Sequence, residues 1–327
     1  MNIMDNKPML SVWMVAYNHE KFIRQSLEGA LNQKANFPFE IIIGEDCSTD
    51  NTRAIIKEFE ATFPDIIKPI YHSSNVGAYR NAYEFCYPQL KGKYIACLEA
   101  DDYWVDENKL QQQVDILEND EKAALCFTQV KVWNENSWQY EQHWSKQFNI
   151  KERYTVEDIL HTFNIVTCSI VFKNRYRVLP YNPKDFPTGD VSLCAFLLLN
   201  GDAVLLNKIT AVYREHDSGI YSPQSQEKKN VVFLNIFKTF LTYPAFHKQF
   251  PLIRTLLSDR AYRALCFEIK KETPDKTLVA QYHSTAVKHM HAHNLYFPLK
   301  TILRKIIFKL TGKSLGRKFH QHEFQIN

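Results

Sequence analysis

Leu10–Asp50 reads LSVWMVAYNHEKFIRQSLEGALNQKANFPFEIIIGEDCSTD. Leu10–Ala16 is a short apolar run that stops at Tyr17-Asn18, as a buried strand stops at a loop. Phe22, Ile23, Leu27, Ala30 and Leu31 then recur at helical spacing between Glu20 and Gln33. Phe39–Gly44 is a second, β-branched run ending in Glu45-Asp46-Cys47-Ser48-Thr49-Asp50. Asp50 stands where it caps a following helix with Ile55, Ile56, Phe59 and Phe63 on one face. Strand and helix in alternation predict parallel strands joined by helical crossovers.

The pattern continues outward. Ile66–Tyr71 reads as a third strand, Asn75-Val76-Gly77 as a turn and Tyr79–Tyr87 as a short helix. Lys93–Leu98 is a fourth strand, running into Glu99-Ala100-Asp101-Asp102. Strand signals recur at Ala123–Val132, Thr167–Phe172, Ala203–Leu206 and Ile209–Tyr213, with a helix over Val191–Leu199. Beyond about residue 225 they give way to amphipathic helical patterns such as Val231–Leu241 and Leu252–Ile269. The expectation is an α/β domain over residues 1–225, Rossmann-like, with a mostly parallel central sheet and helices on both faces. A helical C-terminal region over 226–327 follows it.

The chain has 327 residues, 45% hydrophobic and 23% charged, the composition of a globular protein longer than one ordinary domain. Its net charge of +4 conceals a division: residues 1–215 carry −7 and residues 216–327 carry +11. Such a basic half predicts an anionic partner for that region. Seven cysteines, widely spaced and without a CxxC pair, speak against a disulfide framework or a zinc knuckle and for a reducing compartment. The N-terminus lacks the apolar core of a signal peptide, and no stretch approaches the ~20 apolar residues that span a bilayer. A cytoplasmic location is the expectation.

In open parallel sheets ligands bind outside the carboxyl ends of the strands. Three such ends here carry Tyr17-Asn18, Glu45-Asp46 and Glu99-Ala100-Asp101-Asp102. Carboxylates converging on one edge repel each other unless a cation lies among them, and hard oxygen ligands suit Mg²⁺ or Mn²⁺. No GxGxxG follows the first strand and no GxxxxGK[ST] occurs, so neither a dinucleotide fingerprint nor a P-loop is present.

Taken together, SVWMVAYNHEKFIRQSLEGALNQ, EIIIGEDCSTDNT, NVGAYRNA and YIACLEADDYW resemble the consecutive blocks of glycosyltransferase family 2, of the GT-A fold. The order and spacing match over residues 10–110 and more loosely to about 222. The resemblance implies an inverting enzyme that uses a nucleoside diphosphate sugar, with uridine as the expected base, and a divalent metal, Mn²⁺ or Mg²⁺. It places Ala16, Tyr17, Asn18, Glu45, Asp46, Arg80, Glu99 and Asp101 around the nucleotide, with Asp46 accepting from the base and Arg80 near the base or the diphosphate. Asp102 is the first choice for metal ligand, with Asp101 beside it. The family pattern has Asp where Glu99 stands, and the extra methylene carries that carboxylate toward the ribose.

Phe186-Pro187-Thr188-Gly189-Asp190-Val191 opens a helix where the family carries its catalytic base, so Asp190 is the candidate. Tyr213-Arg214-Glu215-His216-Asp217-Ser218-Gly219 resembles a late block, implying Arg214 for the diphosphate and His216 for the metal. The QxxRW motif of processive synthases is missing, which favours addition of a single sugar to a glycan or lipid-linked acceptor, as in bacterial surface polysaccharide assembly.

Plainer readings stand beside these. Asp101 and Asp102 can cap a helix beginning near Asn108, and Asp190 can be an ordinary helix cap. His289, His291 and His293 form an HxHxH string that reads as a solvated basic face, and Trp133, Trp138, Tyr140 and Trp144 suit core packing as well as sugar stacking. From Leu299 to Lys318 apolar and basic residues segregate on a helix, as in one lying on an anionic membrane. That would put the protein peripherally on the inner face of the cytoplasmic membrane. No motif points to nucleic acid. The rival functions are a catalytically degenerate scaffold or glycan-binding module and a sugar nucleotidyltransferase; the latter usually shows a glycine-rich basic loop where Ala16-Tyr17-Asn18-His19 stands.

Overall fold

The computed structural model describes residues 7–137, 139–141, 150–163, 165–217, 219 and 224–289. The chain divides into two compact units, Met1–Gln224 and Ser225–Asn327. The first opens with β1 (Leu10–Ala16), α1 (Ile23–Leu31), β2 (Phe39–Glu45), α2 (Thr52–Thr62) and β3 (Ile67–Tyr71). A π-helical turn, Arg80–Cys86, leads to β4 (Tyr94–Cys97), β5 (Tyr103–Trp104), α3 (Lys109–Asn119) and β6 (Ala123–Asn134). Then come β7 (Gln139–Glu141), β8 (Arg153–Tyr154), α4 (Val156–His161), β9 (Val171–Lys173), α5 (Gly189–Leu198) and β10 (Asp202–Glu215).

The strands form one sheet in the order β3-β2-β1-β4-β9-β6-β10-β5, with β7 on β6 and β8 on β10. β3, β2, β1 and β4 are parallel, as are β6 and β10. β9 lies antiparallel between β4 and β6 and joins the two parallel sets. One face of β1 (Leu10, Val12, Met14, Ala16) packs with Ile41 and Ile43 of β2 against Ile23, Leu27 and Ile56 of the helices. This explains why β1 and β2 read as continuous apolar runs: both faces are covered.

On the opposite face the π turn lies against β2. Asn81 Nδ2 donates to the Gly44 carbonyl at 2.8 Å, and a Cβ at Gly44 would fall 1.9 Å from Asn81 Oδ1. The backbone approach needs glycine. Gly44→Ala is expected to cost roughly 1–3 kcal/mol, the usual range for overpacking. Thermal denaturation checks this, and an unchanged Tm would refute the close approach.

Three local expectations change. Thr167–Phe172 is a 3₁₀ turn (Thr167–Ser169) before β9, because side chains take its carbonyls: Trp104 Nε1 donates to Cys168 O at 2.8 Å and Gln113 Nε2 to Ser169 O at 3.0 Å. The two short strand signals at 203–213 form the single strand β10, with register irregularities near Leu206 and Ile209. Asp101 and Asp102 do not cap α3, since β5 intervenes and Asp106 Oδ1 accepts from Asn108 N–H at 2.9 Å.

The second unit contains α6 (Gln226–Phe240), α7 (Phe250–Ile269) and α8 (Lys276–Lys288). Ser225 and Asp275 cap α6 and α8, and Leu234, Phe237, Phe240, Phe246, Ile253, Leu257 and Leu265 are buried. Among the described residues no helix is long and apolar enough to cross a membrane. Trp138, Trp144, His291, His293 and the basic stretch Leu299–Lys318 lie outside the described residues.

Candidate functional site

The carboxyl ends of β1, β2 and β4 meet at one edge. Ala16 pairs with Glu45 and Trp13 with Cys97; Asp46 N–H donates to Ala16 O at 3.0 Å and Ala100 N–H to Val15 O at 3.3 Å. Asn18 and Cys47 there have φ of 56° and 58°, a left-handed conformation that non-glycine residues seldom adopt. Bonds between the two loops hold it: Asn18 N–H donates to Ser48 Oγ at 3.0 Å, and Asn18 Oδ1 accepts from Thr49 N–H at 2.9 Å. Glu20 N–H donates to Asp50 Oδ2 at 3.0 Å, which joins the loops again. Tyr17, 42% exposed, stands open at this edge, while Ala16 is buried.

Glu45 turns inward: its carboxylate accepts from Ser48 N–H at 2.6 Å and pairs with Arg53. Asp46 is buried and accepts from Val76 N–H at 2.7 Å and Gly77 N–H at 2.9 Å, so it fixes the turn after β3. Arg80, at the start of the π turn, pairs with Glu84 at 2.8 Å on its half-exposed surface.

The neighbouring aspartates after β4 face different ways. Asp102 is 2% exposed, and its Oδ1 accepts from the backbone N–H of Arg214 at 2.8 Å. Burial, reinforced by the charges of Asp101 and Glu99, pushes its carboxyl well above the usual range. Asp101 Oδ2 instead meets His216 Nε2 at 3.1 Å and lies 3.9 Å from His19 Nε2. Burial would raise Asp101, but the bond to His216 and the charges of both histidines outweigh it and hold the group low. Arg214 is buried over the rings of Tyr103 and Phe22, and its guanidinium donates to Asp101 O and Gln25 Oε1. It ties α1, the acidic loop and β10 together.

Asp190 lies in the first turn of α5, where its Oδ1 accepts from Val191 N–H at 2.7 Å. The helix cap position itself is Thr188. Burial raises the Asp190 carboxyl, against the opposing effect of the Val191 and Thr188 bonds. Glu99 lies within its electrostatic reach: burial first, then the charges of Asp101 and Asp190, push Glu99 up to about 8. Glu99 Oε2 is buried with no hydrogen-bond partner among the described residues.

The fold therefore brings Glu99, Asp101, Asp190 and His216 to one edge beside the Tyr17 and Asp46 loops. Sequence reasoning missed His19 and Gln25, which the fold places against Asp101 and Arg214. His19 sits inside the quoted YNHE block, and its place after a strand end was the available signal. Among the described residues no three His, Cys, Asp or Glu side chains form a closed metal set. Asp101 and His216 bring one carboxylate oxygen and one imidazole nitrogen within 3.1 Å of each other.

A family model described as Glycosyl transferase family 2 matches residues 11–178. An uncharacterized protein of Mycobacterium tuberculosis is 32% identical over 214 residues, 65% of this chain and 60% of the relative, so the match leaves two fifths of that protein uncovered. Escherichia coli WfgD, named UDP-Glc:alpha-D-GlcNAc-diphosphoundecaprenol beta-1,3-glucosyltransferase, is 27% identical over 227 residues, covering 68% of this chain and 83% of WfgD. Among solved structures, S. aureus TarS 1-349 in complex with UDP-GlcNAc superposes with a TM-score of 0.61 at 17% identity, covering 91% of this chain and 84% of TarS. The mannosyltransferase PcManGT from Pyrobaculum calidifontis, in complex with GDP-Man and Mn²⁺, gives 0.56 at 16%, covering 94% and 88%. These structures establish the GT-A architecture. With more than half of its length matched in register, the chain belongs to glycosyl transferase family 2.

Proposed function

We propose that this chain transfers a single sugar from a nucleoside diphosphate sugar, with uridine as the base, to a glycan or lipid-linked acceptor with inversion. The observation that carries the reading is the grouping of Asp101, His216, Glu99 and Asp190 at the sheet edge beside the Ala16–Asn18 and Asp46 loops. WfgD, whose name specifies a UDP-sugar and a diphosphoundecaprenol-linked acceptor, supports the choice of substrates. Assembly of a bacterial surface polysaccharide is the corresponding role, with residues 1–225 as the transferase domain and 226–327 as a helical appendage. Attachment to the inner face of the membrane through the basic stretch 299–318 belongs to the same proposal.

Tyr17, Asn18 and Asp46 line the nucleoside side, and Arg80 reaches the base or diphosphate by leaving Glu84. Glu99 faces the ribose or the transferred sugar. Asp101 and His216 would hold a divalent ion; their oxygen and imidazole donors suit Mn²⁺ better than Mg²⁺. When bound, it supplies charge neutralisation for the diphosphate. Asp190 takes the proton of the acceptor hydroxyl, whose oxygen bonds to the anomeric carbon. The bond from that carbon to the diphosphate breaks on the opposite face, and its electron pair leaves with the phosphate oxygen.

A thermal-shift screen of UDP, GDP, dTDP and CMP, each with Mn²⁺ or EDTA, tests this. UDP is expected to raise Tm with Mn²⁺ and to lose that effect with EDTA. No response of folded protein to any nucleotide would transfer support to a catalytically degenerate scaffold.

A further inference from the structure

Tyr83 has no role in the mechanism above, yet the fold delivers it to the base. It lies in the middle of the π turn Arg80–Cys86, and such turns often mark functional sites. Its ring meets Trp13 edge-on at 5.3 Å and Tyr79 at 5.6 Å, so neighbours on two elements fix its direction. The hydroxyl points at the start of α5: a Cβ on Gly189 would stand 2.1 Å from Tyr83 Oη and 3.0 Å from Cζ. Glycine at 189 is what admits the phenol, one residue before Asp190.

The surroundings of this hydroxyl are specific. Tyr181, Asp190, Cys97 and Cys194 lie around it, and burial, followed by those groups, keeps the phenol protonated. The phenol thus keeps its proton through the neutral range and can donate there. No hydrogen bond ties it to another described residue, although it stands against the carboxylate-bearing turn. Tyr83 is only partly buried.

We infer that the Tyr83 hydroxyl contacts the acceptor, donating a hydrogen bond to the hydroxyl oxygen that Asp190 deprotonates. This rests on the transferase reading. An attacking oxygen has two lone pairs. One accepts from Tyr83, the other is aimed at the anomeric carbon, and the proton goes to Asp190. Tyr83 therefore orients the acceptor and makes no contact needed to bind the donor.

The test compares wild type with Tyr83→Phe, using UDP-glucose as donor and a synthetic α-GlcNAc-diphosphoundecyl acceptor. Transfer and acceptor-independent hydrolysis of UDP-glucose are measured in parallel. Loss of an orienting contact should lower kcat/KM for the acceptor about 10- to 100-fold. The KM for UDP-glucose, the hydrolysis rate and Tm should change by little, because phenylalanine preserves the ring contacts. Gly189→Ala should reproduce the transfer defect by crowding the hydroxyl, and should add little in the Tyr83→Phe background. Unchanged transfer in Tyr83→Phe with active wild type overturns this inference alone. Parallel loss of transfer, hydrolysis and Tm would make Tyr83 a packing residue and overturn it as well. A wild type that neither hydrolyses nor transfers from UDP-glucose, and binds no nucleotide, removes the transferase reading and this inference with it.

Discussion

Asp190→Asn is expected to lower the transfer rate by about 10²–10⁴-fold, the range contributed by a positioned general base. The amide oxygen of asparagine can still accept from Val191 N–H, so α5 should keep its first turn. Nucleotide binding should also persist, because Asp101, His216 and the Asp46 loop are untouched. The pH profile supplies a second reading of the same residue. Burial raises the Asp190 carboxyl, so its proton is lost at higher pH than from an exposed aspartate. The base works only unprotonated; activity should therefore fall as pH drops through this raised value, with the acid limb above the ordinary carboxylate value of ~4. Asp190→Asn should abolish that limb. Steady-state rates across pH check both points, and undiminished turnover in the variant would remove the assignment.

The second large effect separates two adjacent aspartates. Asp101→Ala should abolish the Mn²⁺-dependent part of UDP stabilisation and reduce turnover by about 10²-fold or more, since a metal is worth several kcal/mol to a leaving phosphate and 1.4 kcal/mol is a factor of ten. Fold stability should change less than in an Asp102 variant, because the Asp101 side chain is 22% exposed where Asp102 is buried. Asp102→Ala should behave in the opposite way. It strips the buried Arg214 N–H of its acceptor, at a cost of about 1–3 kcal/mol. The surviving fold should still respond to Mn²⁺. Thermal melts with UDP and Mn²⁺ or EDTA, with Mn²⁺ paramagnetic resonance to count bound ion, distinguish the two. If Asp102→Ala lost the ion without losing stability, the metal role would return to Asp102, the position the sequence alone favoured.

This pair of aspartates shows where sequence reading stops. Asp101 and Asp102 are equivalent as letters, and both follow the same strand. How each is held depends on β10, whose Arg214 backbone N–H bonds Asp102 and whose His216 meets Asp101. Likewise Arg214 reads as a free cation for a diphosphate, but Phe22, Tyr103 and Gln25 engage it in the fold. Arg80 reads as a ligand contact, and a local pair with Glu84 claims it first.

By itself the sequence determined the alternating strands and helices of residues 10–100, the acidic strand ends at Glu45-Asp46 and Glu99–Asp102, and the helical character after residue 225. These are local properties: a covered strand needs a continuous apolar run, a helix needs its 3.6-residue stripe, and a strand end needs a polar loop. Only the tertiary structure decided that β9 enters antiparallel between β4 and β6, that His19 and His216 meet across Asp101, and that Gly189 makes room for Tyr83 beside Asp190. Each of those joins residues far apart in the chain, and such a meeting is set by how whole elements pack, which no short-range periodicity records.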